Sequence, residues 1–415
     1  MTRVLLLTSG TRGDVQPFVA LGRGLRCKGF NVRLCTHARF QGFVEGHELE
    51  YAHMDDGLLE LADTQGGRAL TEGKGNVLAA VRAMQPVFAR TLRDAERAAE
   101  GCDLIVYHPK AMAGPSLAEA HGVPGVLSLP LPSLTPTGAF ALPLAAQRNL
   151  GPRLNRLSYA PLHLSSTAFF GELKRWRASL GLPNLSRFAS PHLDALGQAV
   201  PTLYPISPKV VPPPTDWPAT TQMTGYWFLD TNERPSDELA NFVDAGEPPI
   251  VIGFSSMVGR NVAERTQAIL AGIKQAKVRA VLVSGWGGID EPGSRGTDPE
   301  QVFVTPSAPF GWLFSKAAAL VHHGGAGTTA EGLKAGVPTL VCPFFGDQPF
   351  WGARIHSLRV GPHPIPQKRL TADRLAAAIS EMSANQAMRE RAKELGAHID
   401  AERGVDTAVA FLKAL

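Results

Sequence analysis

The chain is poor in the features that mark secreted, fibrous, membrane-spanning or nucleic-acid-binding proteins. It has four cysteines in 415 residues (Cys27, Cys35, Cys102 and Cys342), none in C-x-x-C spacing. That excludes a disulfide framework, and because Cys35 and Cys342 fall in apolar strand-like runs, free buried thiols in a reducing, cytoplasmic setting are expected. No apolar stretch reaches the roughly 18 residues of a membrane span, so no transmembrane helix is predicted. The apolar run Val4–Leu7 is too short for a secretory leader, and none is expected. Charged residues make up 19%, and 41 basic against 37 acidic side chains leave only +4. That excess is too small to argue for a nucleic-acid partner. No Asp-x-Asp pair is present, and no short internal repeat.

What is present is 44% apolar residues over a length that suits two ordinary domains. Val4–Thr8 reads as a buried strand, Ser9–Asp14 as the turn after it, Val15–Lys28 as a helix stopped by Gly29, and Asn31–Thr36 as the next strand. This βαβ opening predicts a parallel sheet. Its turn, Gly10-x-x-Gly13, is not the full dinucleotide fingerprint. Asp55–Gly75 is glycine-rich and polar and reads as a loop, followed by a helix over Asn76–Ala99. Its arginines (Arg82, Arg90, Arg93, Arg97) form a solvated face. Leu104–Tyr107 and Gly125–Leu129 are further strands. His108, just past the first of them, faces the same sheet end as Asp14 and is a candidate pocket residue. Pro130–Pro191 is rich in Pro, Leu, Phe and Ala, with a basic cluster at Lys174–Arg177. It suits either ordinary packing or an acceptor pocket built on Leu131, Phe140, Leu142 and Phe169. Thr202–Ile206 reads as the last strand of this half.

Ser207–Pro218 (SPKVVPPPTDWP) is the clearest linker, because consecutive prolines stiffen a connection and exclude regular structure. The expected organisation is therefore a first domain over 1–206, a linker over 207–218, a second domain over 219–395 and a final helix over 396–415. The βα pattern restarts with strands at Ile250–Phe254, Arg279–Ser284 and Val302–Thr305. Leu375–Leu395 and Val405–Leu415 read as helices.

The most informative stretch is Ala318–Gly352. An apolar strand runs into His322-His323-Gly324-Gly325-Ala326-Gly327, then a helix with Thr328 and Thr329 as capping candidates and Glu331 in its first turn, then a strand over Pro338–Pro343. Glycines let the backbone approach a ligand, and free N–H groups at a helix start attract an anion, with a phosphate or diphosphate the natural guest. Asp347-Gln348 lies past the carboxyl end of the next strand, where open parallel sheets bind ligands. Adjacent histidines on a strand point opposite ways, which argues against a metal pair at His322-His323.

Together these residues resemble the nucleotide-sugar signature of the UDP-glycosyltransferase superfamily, especially its sterol and glycopeptide-antibiotic branches. The resemblance implies a GT-B architecture of the α/β class: two Rossmann-like domains facing across a cleft, with the last helix crossing back to the first. It implies acceptor binding by the first domain and nucleotide-sugar binding by the second. Gly10–Pro17 resembles the family's opening loop. Where many members carry a histidine base there, this chain has Asp14, as those two branches do. In the second half Ser256 matches a diphosphate-contacting serine, and Ser255 replaces a usual glycine. His323, Gly325, Gly327 and Thr328 match the diphosphate turn, and Asp347 and Gln348 the pair that holds sugar hydroxyls. Where many plant members stack the base on tryptophan, Ser307-Ala308-Pro309 stands instead, and Ala308 is counted with the donor-binding residues. Trp312 resembles the Trp-Leu of the sterol branch.

The implied reaction is inverting transfer of a hexose, UDP-glucose foremost, to a hydroxyl of a lipophilic alcohol such as a sterol or polyketide, with Asp14 as base and neither metal nor cofactor. A peripheral membrane contact would suit such an acceptor. For Asp14 the structural alternative is a helix N-cap. Rival functions are a nucleotide-sugar epimerase, a dinucleotide oxidoreductase using Gly325-x-Gly327-x-x-Ala330, and a non-catalytic sugar-nucleotide binder.

Overall fold

The structure is a computed structural model that describes residues 1–64, 77–164, 169–186, 192–194, 196–230, 233–254, 262–285, 289 and 298–415. Two parallel sheets carry the chain. The first contains β1 (Arg3–Leu7), β2 (Asn31–His37), β3 (Glu50–Met54), β4 (Leu104–Tyr107), β5 (Gly125–Ser128), β6 (Thr202–Tyr204) and β7 (Thr221–Met223), in the order β3-β2-β1-β4-β5-β6-β7. The second contains β8 (Ile250–Gly253), β9 (Ala280–Val283), β10 (Val302–Thr305), β11 (Ala319–His322) and β12 (Thr339–Val341), in the order β10-β9-β8-β11-β12. The central strands are near-continuous Val, Leu and Ile because helices cover both faces of each sheet. In β1, Leu5 and Leu7 join one core cluster while Val4 and Leu6 join the cluster on the other face, as a period of two requires.

Each strand order reverses direction once, between β1 and β4 and between β8 and β11. At these places the following connections leave toward opposite faces and open a crevice at the carboxyl ends of the strands.

Several expectations need correction. Thr202–Ile206 does not end the first sheet: Thr221–Met223 pairs parallel with β6 beyond the proline stretch, so the chain crosses to the second sheet after Met223. Three residues between proline and glycine are too few for alternation to register. The Asp55–Gly75 loop contains a helix over Gly57–Asp63, and its residues 65–75 lie outside those described. The expected single helix Leu375–Leu395 is two, Ala372–Ala384 and Gln386–Ala401. It breaks at Asn385, whose side chain accepts from the Met388 N–H at 3.0 Å and starts a new helix.

The final helix, Gly404–Lys413, returns to the first half. Its Val405 and Val409 sit so close to Gly24 that a Cβ there would meet Val405 at 2.2 Å. Ala408, Val409 and Leu412 complete the core under the first helix, Arg12–Cys27.

The proline stretch is tied down rather than loose. Asp216 accepts from the Thr137 hydroxyl, from the Gly138 N–H at 2.8 Å and from Arg156 at 2.7 Å. Trp217 stacks on Tyr204, with ring centroids 5.0 Å apart. Burial alone would raise the Asp216 pKa, but these three donors together outweigh it and hold it at about 2. A depressed carboxylate stabilises the fold above its unfolded pKa of roughly 4 and loses that contribution as pH falls toward about 2. Asp216→Ala is therefore expected to lose roughly 1–3 kcal/mol at neutral pH. In denaturant titrations the gap to wild type should close between roughly pH 4 and pH 2.

Candidate active site

One cleft of about 2340 Å³ is lined from both sheets. That exceeds the roughly 300–1,000 Å³ of an ordinary small-molecule pocket and leaves room for two substrates. The strand ends beside the two reversals meet in it: the turn after β1 brings Asp14, the turn after β4 brings His108 and Lys110, and the turn after β11 brings His323 and Gly325.

Asp14 is not the N-cap of its helix. The helix starts at Arg12 with Thr11 as cap, and Asp14 is its third residue. Its carboxylate folds back to accept from the Thr11 N–H at 2.8 Å and the Thr11 hydroxyl at 3.3 Å. Gly10 makes room for this: its φ is +134°, and a Cβ there would lie 2.1 Å from Asp14 Oδ2. Lys110 Nζ lies 2.8 Å from both Asp14 oxygens. Burial raises the Asp14 pKa, but Lys110, then His108, and the hydrogen bonds from Lys110 and Thr11 outweigh it, so the net direction is down. Asp14 is thus ionised at neutral pH.

His108 is buried, and its Nδ1 accepts from the Lys110 N–H at 3.2 Å. The neutral ring therefore carries its proton on Nε2, which faces Asp14 Oδ1 at 3.6 Å. Burial pushes its pKa down to about 4, with Asp14 opposing. In this tautomer His108 can orient Asp14, and its one basic nitrogen, Nδ1, is occupied by the Lys110 N–H and turned away from Asp14.

On the opposite wall the helix after β11 is Ala326–Ala335 with Gly325 as cap, so Thr328 and Thr329 lie inside it and do not cap it. His322 and His323 diverge. His322 turns into the fold, where its Nδ1 accepts from the Gly324 N–H at 2.9 Å. His323 lines the cleft and is 8% exposed, and its Nδ1 has no partner among the described residues. Burial lowers its pKa to about 4, so the ring is neutral at neutral pH. Asp347 immediately precedes the helix Gln348–Ser357, and its carboxylate accepts from Trp351 Nε1 at 3.0 Å. Burial raises its pKa against that hydrogen bond. Gln348 is buried, and its Oε1 accepts from the Phe344 N–H at 2.8 Å, which fixes the turn before Asp347.

Of the residues singled out from sequence, Asp14, His108, Leu131, Ala308, His323, Gly325, Gly327, Thr328, Asp347 and Gln348 all line this cleft. Phe140 does not: it packs edge-on against Trp217, with centroids 6.4 Å apart. Ser255 and Ser256 lie outside the described residues. Lys110 and Glu331 are among the lining residues that the sequence reading did not assign to a site. Lys110 had only its place after a strand end as a signal. Glu331, expected in the first helical turn, is the sixth residue of its helix and lines the cleft, with its pKa raised chiefly by burial.

Two parallel-sheet halves that share one cleft at their strand ends define a GT-B-type architecture. Solved structures agree: a kitacinnamycin glycosyltransferase superposes over 100% of this chain and 98% of its own with a TM-score of 0.74 at 19% identity. A calicheamicin glycosyltransferase does so over 100% and 98% with a TM-score of 0.70, also at 19% identity. The family model for the glycosyltransferase family 28 N-terminal domain matches residues 4–137, and that for the erythromycin biosynthesis protein CIII-like C-terminal domain matches residues 292–413. The O-mycaminosyltylonolide 6-deoxyallosyltransferase of Streptomyces fradiae is 36% identical over 99% of this chain and 97% of its own length. The sterol 3-beta-glucosyltransferase of Penicillium rubens is 36% identical over 99% of this chain, which spans 30% of that protein's length. The chain belongs to the UDP-glycosyltransferase superfamily, in the company of sterol and macrolide glycosyltransferases.

Removing the His323 ring takes away a buried donor that faces the cleft. His323→Ala is expected to weaken nucleotide-sugar binding and to slow turnover by about 100-fold, on the order of 3 kcal/mol. Asp347→Ala should weaken binding of a nucleotide sugar while leaving the free nucleoside diphosphate nearly unaffected. Calorimetry with both ligands separates the two roles, and equal losses for both would remove the sugar-holding role of Asp347.

Proposed function

We propose that this protein transfers a hexose from a nucleoside diphosphate sugar to a hydroxyl of a lipophilic alcohol, with inversion at the anomeric carbon. The observation that carries this reading is the opposition, within one cleft, of an ionised carboxylate on the first sheet and an anion-ready helix start with a neutral histidine on the second. Inversion needs both at once. A base on one side takes the acceptor proton as the new bond forms, and donors on the other side take the charge of the departing diphosphate.

Asp14 is the base in this reading. An ordinary carboxylate is a weak base for an alcohol, so the proton moves only as the hydroxyl oxygen bonds to the sugar and acidifies. His323, the N–H groups at Gly325–Gly327, Thr328 and Ser256 receive the diphosphate, with Ala308 near the base. Asp347 and Gln348 hold sugar hydroxyls. Glu331 offers a second carboxylate for hydroxyls deeper in the donor wall. The first half, residues 1–206 with β7 added, holds the acceptor, and the second half, from after β7 to residue 395, holds the donor.

UDP-glucose is the donor put first, because the fungal relatives are named for glucosyl transfer to sterols. A thymidine diphosphate sugar is the alternative. A glycosyltransferase of Streptomyces sp. SF2575, similar in fold at a TM-score of 0.61 and 20% identity, was solved with thymidine diphosphate. A sterol or macrolide-like acceptor suits the wall formed by Leu131, Leu134 and Leu144. The free thiols, three of the four buried, suit a cytoplasmic setting.

The first half also carries a greasy, basic edge that begins at the cleft-lining Leu144. Leu144, Leu150, Leu154 and Leu157 are exposed beside Arg148 and Arg153, and no acidic residue occurs between Glu119 and Glu172. We read this edge as one that touches an anionic lipid surface while a lipophilic acceptor is loaded. No helix among the described residues is long and apolar enough to cross a membrane.

The test of the function is a matrix of nucleotide sugars against hydrophobic alcohols, read by mass spectrometry, with the anomeric configuration of any product assigned by NMR. A product of inverted configuration is expected. Retention of configuration, or hydride transfer with a nicotinamide cofactor, would contradict the proposal. For this edge, wild type should sediment with anionic vesicles more than with neutral ones, and Leu154→Glu with Leu157→Glu should abolish the difference.

A further inference from the structure

Lys110 raises a difficulty for the reaction as described. Its ammonium sits on both oxygens of Asp14 at 2.8 Å, while Thr11 occupies Oδ2 from the other side. A cation held there lowers the basicity of the carboxylate and crowds the lone pairs that an acceptor hydroxyl needs. As a permanent arrangement it opposes the chemistry.

The pair is not built to be permanent. The Lys110 side chain is 56% exposed and that of Asp14 14%. A partly solvated lysine–carboxylate pair contributes no more than about 1 kcal/mol. Lysine carries its charge on a flexible four-carbon stem with three rotatable donors, so leaving one anion for another costs little. The groups that face Asp14 are Thr11 and His108 from its own sheet end, and Asp347 from the opposite wall. Arg12, one turn away, is engaged with Glu233 at 3.2 Å. Lys110 also bears on Asp347: after burial and the Trp351 hydrogen bond, its charge favours the Asp347 carboxylate, while Asp14 disfavours it. Lys110 lines the same cleft as the Gly325–Gly327 turn, so a diphosphate seated at that turn would bring its negative charges into the space that the ammonium shares.

We propose that Lys110 is a shuttling cation, paired with Asp14 while the donor site is empty and turned onto the diphosphate once the nucleotide sugar is seated. The proposal rests on the glycosyl-transfer reading of the cleft. Donor binding then does two things in one movement. It frees the Asp14 oxygens for the acceptor hydroxyl, and it adds a donor to the leaving group. In the transfer step the acceptor oxygen bonds to the anomeric carbon and its proton goes to Asp14. The bond from that carbon to the diphosphate breaks, and the electron pair leaves with the diphosphate, where Lys110 and His323 receive it. With no donor bound, the base stays masked.

Calorimetry on Lys110→Met, Lys110→Arg and wild type, with UDP or thymidine diphosphate and with the parent nucleoside, tests the contact. Lys110→Met should bind the diphosphate roughly ten- to hundredfold more weakly, as expected for a lost charged hydrogen bond. Nucleoside binding and the melting temperature should be unchanged, and Lys110→Arg should restore most of the diphosphate affinity. Equal diphosphate affinity in Lys110→Met and wild type would overturn the proposal. A wild type that binds neither diphosphate would contradict the transferase reading itself.

The pH dependence tests the timing. The acid limb of kcat reports the donor-bound enzyme, and that of kcat/KM for the donor reports the free enzyme. The kcat limb should coincide in wild type and Lys110→Met, while the kcat/KM limb should lie lower in wild type. A kcat limb that moves up in Lys110→Met would mean that the pair survives into the reaction, and would overturn the shuttle.

Discussion

A parallel sheet offers ligands only the carboxyl ends of its strands, and it opens a crevice there only where the strand order reverses. The organisation of this chain follows from having two such sheets with their reversals turned toward each other. In the first, β1 and β4 flank the reversal, and the turns after them deliver Asp14, His108 and Lys110. In the second, β8 and β11 flank it, and the turn after β11 delivers His323 and the free N–H groups of a helix start. The mutual placement of the halves is supported away from the chemistry. The final helix packs against Gly24 of the first helix, and Glu402 just before it accepts from Ser207 at 2.6 Å in the connecting stretch.

Electrostatics then divides the labour between the walls. Burial keeps both His108 and His323 neutral, while Asp14 and Lys110 form a charged pair on the first-sheet wall. The first-sheet wall holds a carboxylate that is already ionised. The second-sheet wall sets the neutral His323 ring beside a helix start, an arrangement that favours negative charge.

Much of this was legible in the sequence because the relevant signals are local. Buried strands followed by glycine turns exposed the two sheets, and the unusual spacing of His323, Gly325, Gly327, Asp347 and Gln348 picked out residues that line the cleft from the second sheet. What escaped was either short or long-range. β7 has three residues and no periodicity to detect. The break at Asn385 turns on one side-chain hydrogen bond inside a run that is otherwise good helix. The helix start at Gly325 was displaced to Thr328 because threonine is the commoner cap, although the glycine turn itself serves as one. Phe140 has the composition of a pocket residue, yet its ring packs edge-on against Trp217, 77 positions away on the connecting stretch. Lys110 could not be distinguished from a surface lysine until the fold set it on Asp14, 96 positions away.

The central claim is that the carboxylate at the β1 turn takes the acceptor proton while the opposite wall holds the donor. Asp14→Asn tests it most directly, because the amide oxygen can still accept from Thr11 but the side chain cannot take a proton. The measurement is the single-turnover rate with a saturating nucleotide sugar, together with donor affinity and melting temperature. The account predicts a fall in rate of roughly 100- to 10,000-fold, with melting nearly unchanged and donor affinity no weaker than in wild type. A wild-type single-turnover rate in Asp14→Asn would contradict it and leave Asp14 as nothing more than the closing residue of a helix cap.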